Sequence, residues 1–287
     1  MSEINIKNGE CSAVINYHGA ELKSLKKNGR EYMWCADPAF WGRTAPVLFP
    51  FVGAVNNGVF TYKGVEYPMG QHGFARDMDF ELELAEDTEV RFVLNSSDET
   101  IAKYPMPFKF ISGYRIENDR LYVDWEVVNT GNEPLEFSIG AHPAFSCILD
   151  DTSLVFKKNG MAINSFVNSV FGKGLLTDEK KTISLAEGCM KLDAHSFDGD
   201  AYVIENNQVD EIVVLDNNGE EIMSVCFDSP LVGVWSPPGK NAPFLCIEPW
   251  YGRADKEGFA GELNTREWNN TLALGEVFKA TYSICLK

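Results

Sequence analysis

Along most of the chain apolar and polar residues alternate with a period of two, and short turn-forming dipeptides cut the alternation into pieces. In Leu121-Tyr122-Val123-Asp124-Trp125-Glu126-Val127 the residues Leu121, Val123, Trp125 and Val127 fall on one face and mostly polar residues on the other. A pleated strand sends successive side chains to opposite faces, so this pattern predicts a half-buried β-strand. The run from Phe110 to Ile116 precedes it, separated only by Glu117-Asn118-Asp119-Arg120, which predicts a hairpin. Asn-Gly pairs stand at 28–29, 57–58, 159–160 and 218–219. Both residue types tolerate the positive φ of a two-residue hairpin turn, and the last pair joins Glu211–Leu215 to Ile222–Phe227.

Helical periodicity is thin. Asp98 to Tyr104 and Gly261 to Trp268 each predict one or two helical turns, and no apolar stripe continues over four turns. Many strands punctuated by turn chemistry predict an all-β sandwich or barrel. No repeat, low-complexity segment or linker divides the chain, which predicts a single domain over 1–287. The stretch Asp150 to Gly199 reads as richer in loops than its surroundings, without a flexible linker's composition.

Composition narrows the functional classes. Hydrophobic residues make up 45% and charged residues 23%, which is ample material for a core in a soluble protein. The net charge of −17 repels phosphate backbones and anionic lipid, which argues against nucleic-acid and membrane partners. There is no apolar run of the roughly 18 residues that a spanning helix needs. Met1 to Lys7 lacks the basic-then-apolar pattern of a signal peptide, and the seven cysteines are scattered with no C-x-x-C pair. Reduced thiols in a cytoplasmic protein are the expectation.

Four histidines occur, and two stand in unusual settings. His72 is flanked by glycines in Met69-Gly70-Gln71-His72-Gly73-Phe74-Ala75-Arg76-Asp77, where backbone can approach a ligand closely. His142 lies in Gly140-Ala141-His142-Pro143-Ala144-Phe145, among small apolar residues. His18 and His195 read as surface or satisfied groups. Glu248, in Phe244-Leu245-Cys246-Ile247-Glu248-Pro249-Trp250, follows an apolar run and stands either at the strand's exit or partly buried. Burial would raise its pKa toward the range of a general base. His142 and Glu248 each precede a proline, which holds the preceding residue extended and suits pre-organised proton transfer. Trp235 reads equally as a platform for the apolar face of a ligand ring and as core, whereas Trp34, Trp41 and Trp250 lean toward packing. No local ligand spacing supports a metal site from His72, His142 and an acid.

The segments Gly70 to Arg76, Gly140 to Phe145 and Cys246 to Trp250 resemble the three signature regions of the aldose 1-epimerase (mutarotase) family. Gly19 to Leu25 and Trp41 to Pro50 extend the resemblance, which runs in order from about Val14 to Arg253 and is nearest to the branch associated with bacterial lactose operons. It implies a β-supersandwich with a sugar cleft on one sheet, and no cofactor or metal. It further implies His142 as general acid on the ring oxygen and Glu248 as general base on the anomeric hydroxyl. His72 and Arg43 would help hold the sugar. An aspartate that binds sugar hydroxyls matches loosely at Asp200, with Asp198 as its rival.

The chemistry is self-consistent. Opening a cyclic hemiacetal removes a proton from the C1 hydroxyl and protonates the ring oxygen; rotation about C1–C2 and re-closure then invert the anomeric centre. An acid and a base on opposite sides of that centre suffice, each contributing roughly 10²–10⁴-fold. A hexose-6-phosphate mutarotase is the related alternative, with Arg43 and Arg76 binding phosphate; Arg76 could equally pair with Asp77 or Asp79. A non-catalytic sugar binder on the same scaffold, or a glycosidase or lyase, are readings of other classes. A glycosidase usually needs two carboxylates, and one conspicuous glutamate is present. The expected partner is a small sugar, and the chain is expected to be a monomer or homodimer.

Overall fold

The computed structural model describes residues 2–287. Strands account for 52% of it and helices for 6%, so the all-β expectation holds. Two large sheets dominate. The first has ten strands and runs from an edge at Met161–Ala162 through Ser153–Lys158, Glu211–Leu215, Glu221–Phe227 and Val277–Leu286. It continues through Arg120–Asn129, Phe108–Glu117 and Glu89–Asn95 to Glu81–Ala85, and Cys189–Lys191 joins it beside Ser153–Lys158. The second has eight strands, in the order Leu175–Ser184, Ser165–Gly172, Tyr202–Ile204, Leu231–Trp235, Phe244–Tyr251, Ile139–Ala141, Val47–Leu48. Ala144–Ser146 pairs with Phe244–Tyr251 off that path.

The expected hairpin forms, with Phe108–Glu117 antiparallel to Arg120–Asn129 and Glu117 opposite Arg120. Its second strand alternates buried and half-buried residues along its whole length, as the sequence pattern requires. Asn28-Gly29 and Asn159-Gly160 turn hairpins with positive φ at both residues. Asn218-Gly219 also turns a hairpin, but only Gly219 has positive φ, and the Asp216 carboxylate accepts from the Asn218 and Glu220 N–H groups instead. Asn57-Gly58 differs: it lies in a short 3₁₀ turn. The two helical expectations reduce to an α-helix at Asp98–Lys103, capped by Ser97, and a 3₁₀ turn at Leu263–Thr265.

The loop-rich reading of 150–199 is corrected. That stretch contains the long hairpin Ser165–Gly172 and Leu175–Ser184. Residues 178–182 of its second strand are all exposed, so the pattern carries no apolar alternation to reveal it. No helix is long and apolar enough to cross a membrane among the described residues.

The sheets face one another across an apolar core in which Phe49 packs on Phe108, Phe110 and Phe137. Phe244–Tyr251 is buried on both faces: Leu245 and Ile247 enter that core, while Phe244 and Cys246 belong to a separate cluster with Trp34. Glu248 continues the second face. Double-sided burial explains why this segment reads as a nearly continuous apolar run.

Candidate active site

On that second face lies a cleft of about 430 Å³, lined by Trp41, Arg43, His72, His142, Trp235 and Glu248 among others. Strand pairing gathers the segments that compose it. Gly140 stands opposite Trp250 and Leu48, so the His142 and Glu248 strands are neighbours and the 41–50 segment joins them. Trp235 stands opposite Cys246 on the other side. A bridge between Phe49 and Gly73 adds the His72 loop.

Two glycines have tight reasons to be there. A Cβ on Gly233 would meet the Trp250 indole at 2.5 Å, and one on Gly140 would meet it at 2.6 Å. The indole therefore lies across both strands beside Glu248, and its N–H donates to the Ala141 carbonyl at 3.2 Å. At Gly73 the φ is +70° and a Cβ would meet the Phe49 carbonyl oxygen at 2.3 Å, so only glycine lets the His72 loop close onto the sheet.

His142 Nε2 and Glu248 Oε2 lie 3.4 Å apart at the floor of the cleft, with side-chain exposures of 9% and 2%. Glu248 stands inside the strand and not at its exit. His142 Nδ1 and Glu248 Oε2 are buried without hydrogen-bond partners. The imidazole is held by rings: Trp41 stacks on it at 4.7 Å between centroids, and Trp235 meets it edge-on at 5.4 Å. His72 lies 5.5 Å away, and its Nδ1 accepts from the Gly53 N–H at 3.1 Å, which leaves Nε2 as the donor.

Burial sets the protonation of all three. It pushes the Glu248 carboxyl well above the usual range; the Trp250 indole opposes this and the Asp200 carboxylate adds to it. It pushes His142 down to about 3, helped by the Arg76 and Arg43 charges. His72 is likewise lowered, by burial first and then by His142 and the two arginines. Burial thus favours the uncharged forms, neutral imidazoles and a protonated carboxyl, and sets a proton acceptor and a proton donor side by side. Such a pair can give a proton to one oxygen and take one from another.

Arg43 donates to Asp77 at 2.8 Å, and Arg76 donates to the Gln71 carbonyl at 2.8 Å. Asp77 is thus taken mainly by Arg43, with Arg76 Nε 3.8 Å from it, and Asp79 pairs with His18. Asp200 lines the cleft, with φ +73° and its carboxylate accepting from the Ala201 N–H. Asp198 does not line it; it pairs with His195 outside.

Trp41 and Trp250, read from the sequence as packing, line the cleft as well, as do Gln71 and Phe171. Trp41 and Gln71 stand in the segments Trp41–Pro50 and Gly70–Arg76, close to Arg43 and His72, and that adjacency is the local signal for them. Nothing local marks Phe171, which reaches the cleft from the 165–172 strand.

The two-sheet antiparallel fold is that of galactose mutarotase-like proteins. The family described as aldose 1-epimerase matches residues 2–285, and the chain belongs to that family. It is 30% identical over 264 residues to the plasmid and chromosomal forms of protein LacX from Lactococcus lactis subsp. lactis, covering 87% of each. A galactose mutarotase related enzyme from Lactobacillus acidophilus superposes with TM-score 0.93 at 32% identity, over 99% of this chain and 97% of that one. A galactose mutarotase-like protein from Lactobacillus casei gives TM-score 0.91 at 29% identity, over 99% and 100%. The family and fold support a sugar-related, mutarotase-like role.

Proposed function

We propose that this chain is a single-domain aldose 1-epimerase, a cytoplasmic enzyme that interconverts the α and β anomers of a hexose. The observation that carries the reading is the buried His142–Glu248 pair, 3.4 Å apart at the floor of a sugar-sized cleft. That spacing favours one arrangement. The anomeric oxygen and the ring oxygen share one carbon, so two groups side by side reach both from the same side of the ring. The acid and base need not flank the anomeric centre on opposite sides.

In the proposed cycle Glu248 takes the proton of the anomeric hydroxyl while His142 gives one to the ring oxygen. The proton must first sit on the imidazole, a transfer of 3.4 Å that leaves the net charge of the pair at zero. Ring opening returns the pair to the neutral imidazole and protonated carboxyl that burial favours. Rotation about C1–C2 and the reverse transfers close the other anomer. His72 Nε2–H, Arg43, Arg76 and Asp200 offer hydrogen bonds to hydroxyls, and Trp235 offers an apolar wall.

Polarimetry of freshly dissolved α-D-glucose and α-D-galactose, with and without the protein, tests this. A rate no faster than the spontaneous one, with sugar still bound in calorimetry, would leave a binder on this scaffold. A hexose-6-phosphate substrate is the second reading, favoured by two arginines on one cleft wall. Asp77 neutralises part of that charge, which is why the free sugar comes first. The same measurement on the 6-phosphates separates the two, since a phosphate-binding site would lower KM for them.

A further inference from the structure

Beneath the acid–base pair stands a third group that the proposed reaction does not use. Cys246 lies two residues before Glu248 on the same strand and so projects from the same face. His142, Cys246 and Glu248 each offer one ligand atom, and these atoms all lie within 4.8 Å of one another. All three residues are buried, and Glu248 Oε2, the oxygen nearest His142 Nε2, lacks a hydrogen-bond partner. A buried polar atom without a partner is costly, and one in the wall of a cleft is a place where a ligand gains by binding.

We propose that this trio captures a thiophilic divalent cation of the zinc class, which blocks the cleft reversibly in competition with sugar. Sulfur, imidazole nitrogen and carboxylate oxygen bond zinc at about 2.3, 2.0 and 2.1 Å, which spaces tetrahedral ligands by about 3.5 Å. The 3.4 Å between His142 and Glu248 already meets this. Cys246 Sγ lies within 4.8 Å of the other two ligand atoms, and drawing the three to that spacing completes the site. Three protein ligands leave the fourth position open toward the cleft, where water sits or a sugar hydroxyl would compete. The thiolate selects against magnesium and calcium, which prefer oxygen-only ligands.

The charge balance fits a dry site. The entering ion carries two positive charges; the Cys246 thiol and the Glu248 carboxyl, each in the protonated form that burial favours, release one proton apiece to solvent. His142 supplies the lone pair of a neutral imidazole. The trio is neutral before and after binding, so no net charge is buried. Burial opposes ionisation of the Cys246 thiol and the Glu248 carboxyl, and the ion's own charge overcomes this by deprotonating its ligands.

Cobalt(II) titration of the full chain tests the site. The expected result is one equivalent bound with thiolate-to-cobalt charge-transfer absorption, two protons released per ion, and displacement by zinc. Cys246→Ala should abolish the absorption and weaken zinc by more than about 100-fold, beyond the 10–100-fold cost of losing an outer-shell partner. Retention of both by Cys246→Ala, folded by circular dichroism, would move the ion to another thiol such as the exposed Cys35 and overturn the proposal. So would failure to bind one equivalent. Should Cys246→Ala not fold, Glu248→Gln serves, with the same loss of zinc affinity required. The inhibition rests on the proposed reaction, but the absorption does not. A cobalt spectrum without anomerisation would keep the ion site and remove the reaction. Anomerisation indifferent to zinc, with no spectrum, would do the reverse.

Discussion

The strand Phe244–Tyr251 has two buried faces that do opposite things. On one, Leu245 and Ile247 pack into the apolar core between the sheets. On the other, Phe244, Cys246 and Glu248 run toward the cleft, and the last carries a carboxyl with an unpartnered oxygen. Both faces exclude water almost completely, so burial alone does not separate structure from chemistry. What separates them is whether the buried side chain can be satisfied by its neighbours. Ile247 is; the Oε2 oxygen of Glu248 is not. The histidines repeat the contrast: burial drives His142 down to about 3, whereas the exposed His195 is raised by hydrogen bonding to Asp198.

Substitutions on the two faces should therefore fail in different ways. Glu248→Gln and His142→Asn are expected to lower turnover by roughly 10²–10⁴-fold with the melting transition kept, because each removes a proton-transfer group and leaves the core intact. Wild-type turnover in either variant, followed by polarimetry, would remove that residue from the mechanism. Ile247→Ala on the opposite face should cost about 2–5 kcal/mol of stability in a denaturant titration, with kcat per folded molecule little changed.

The pH dependence sharpens the comparison further. In the proposed cycle the pair works with one proton between its two members, so activity should fall where a second is added or the first is lost. Acidification adds the second at His142, near pH 3, and alkalinisation strips the first from Glu248, whose pKa is raised. The profile of kcat/KM should thus show no acid limb near the ordinary imidazole value of 6.5. A limb there would mean that the free enzyme's imidazole is far better solvated than its surroundings allow.

Smaller effects probe the shared boundary. Gly233→Ala drives a Cβ into the Trp250 indole beside Glu248, and overpacking of this kind costs about 1–3 kcal/mol. Its kcat should drop as well, since the indole cannot shift without disturbing the carboxyl. Trp41→Ala removes the ring stacked on His142, worth about 0.5–1.5 kcal/mol, and should raise KM only modestly. A thermal melt beside a saturation curve reads both.

Much of this is legible in the amino-acid sequence alone. Alternation over 121–127 and the Asn-Gly turns imply an antiparallel β-protein, because a period of two and positive-φ turns follow from local backbone geometry. His72, His142 and Glu248 stand out by their glycine and proline neighbours and by family resemblance. The 175–184 strand was hidden, since an exposed edge carries no apolar face to alternate.

The chain's own sequence determined which residue types sit beside which in each strand and turn, because those are local matters. The distances between strands were decided only in three dimensions. That Trp41 would stack on His142, that Asp200 and not Asp198 would face the cleft, and that Cys246 would lie under the acid–base pair all depend on sheet order and register. So do the shifted pKa values of His72, His142 and Glu248, whose largest cause is desolvation by neighbours far away along the chain.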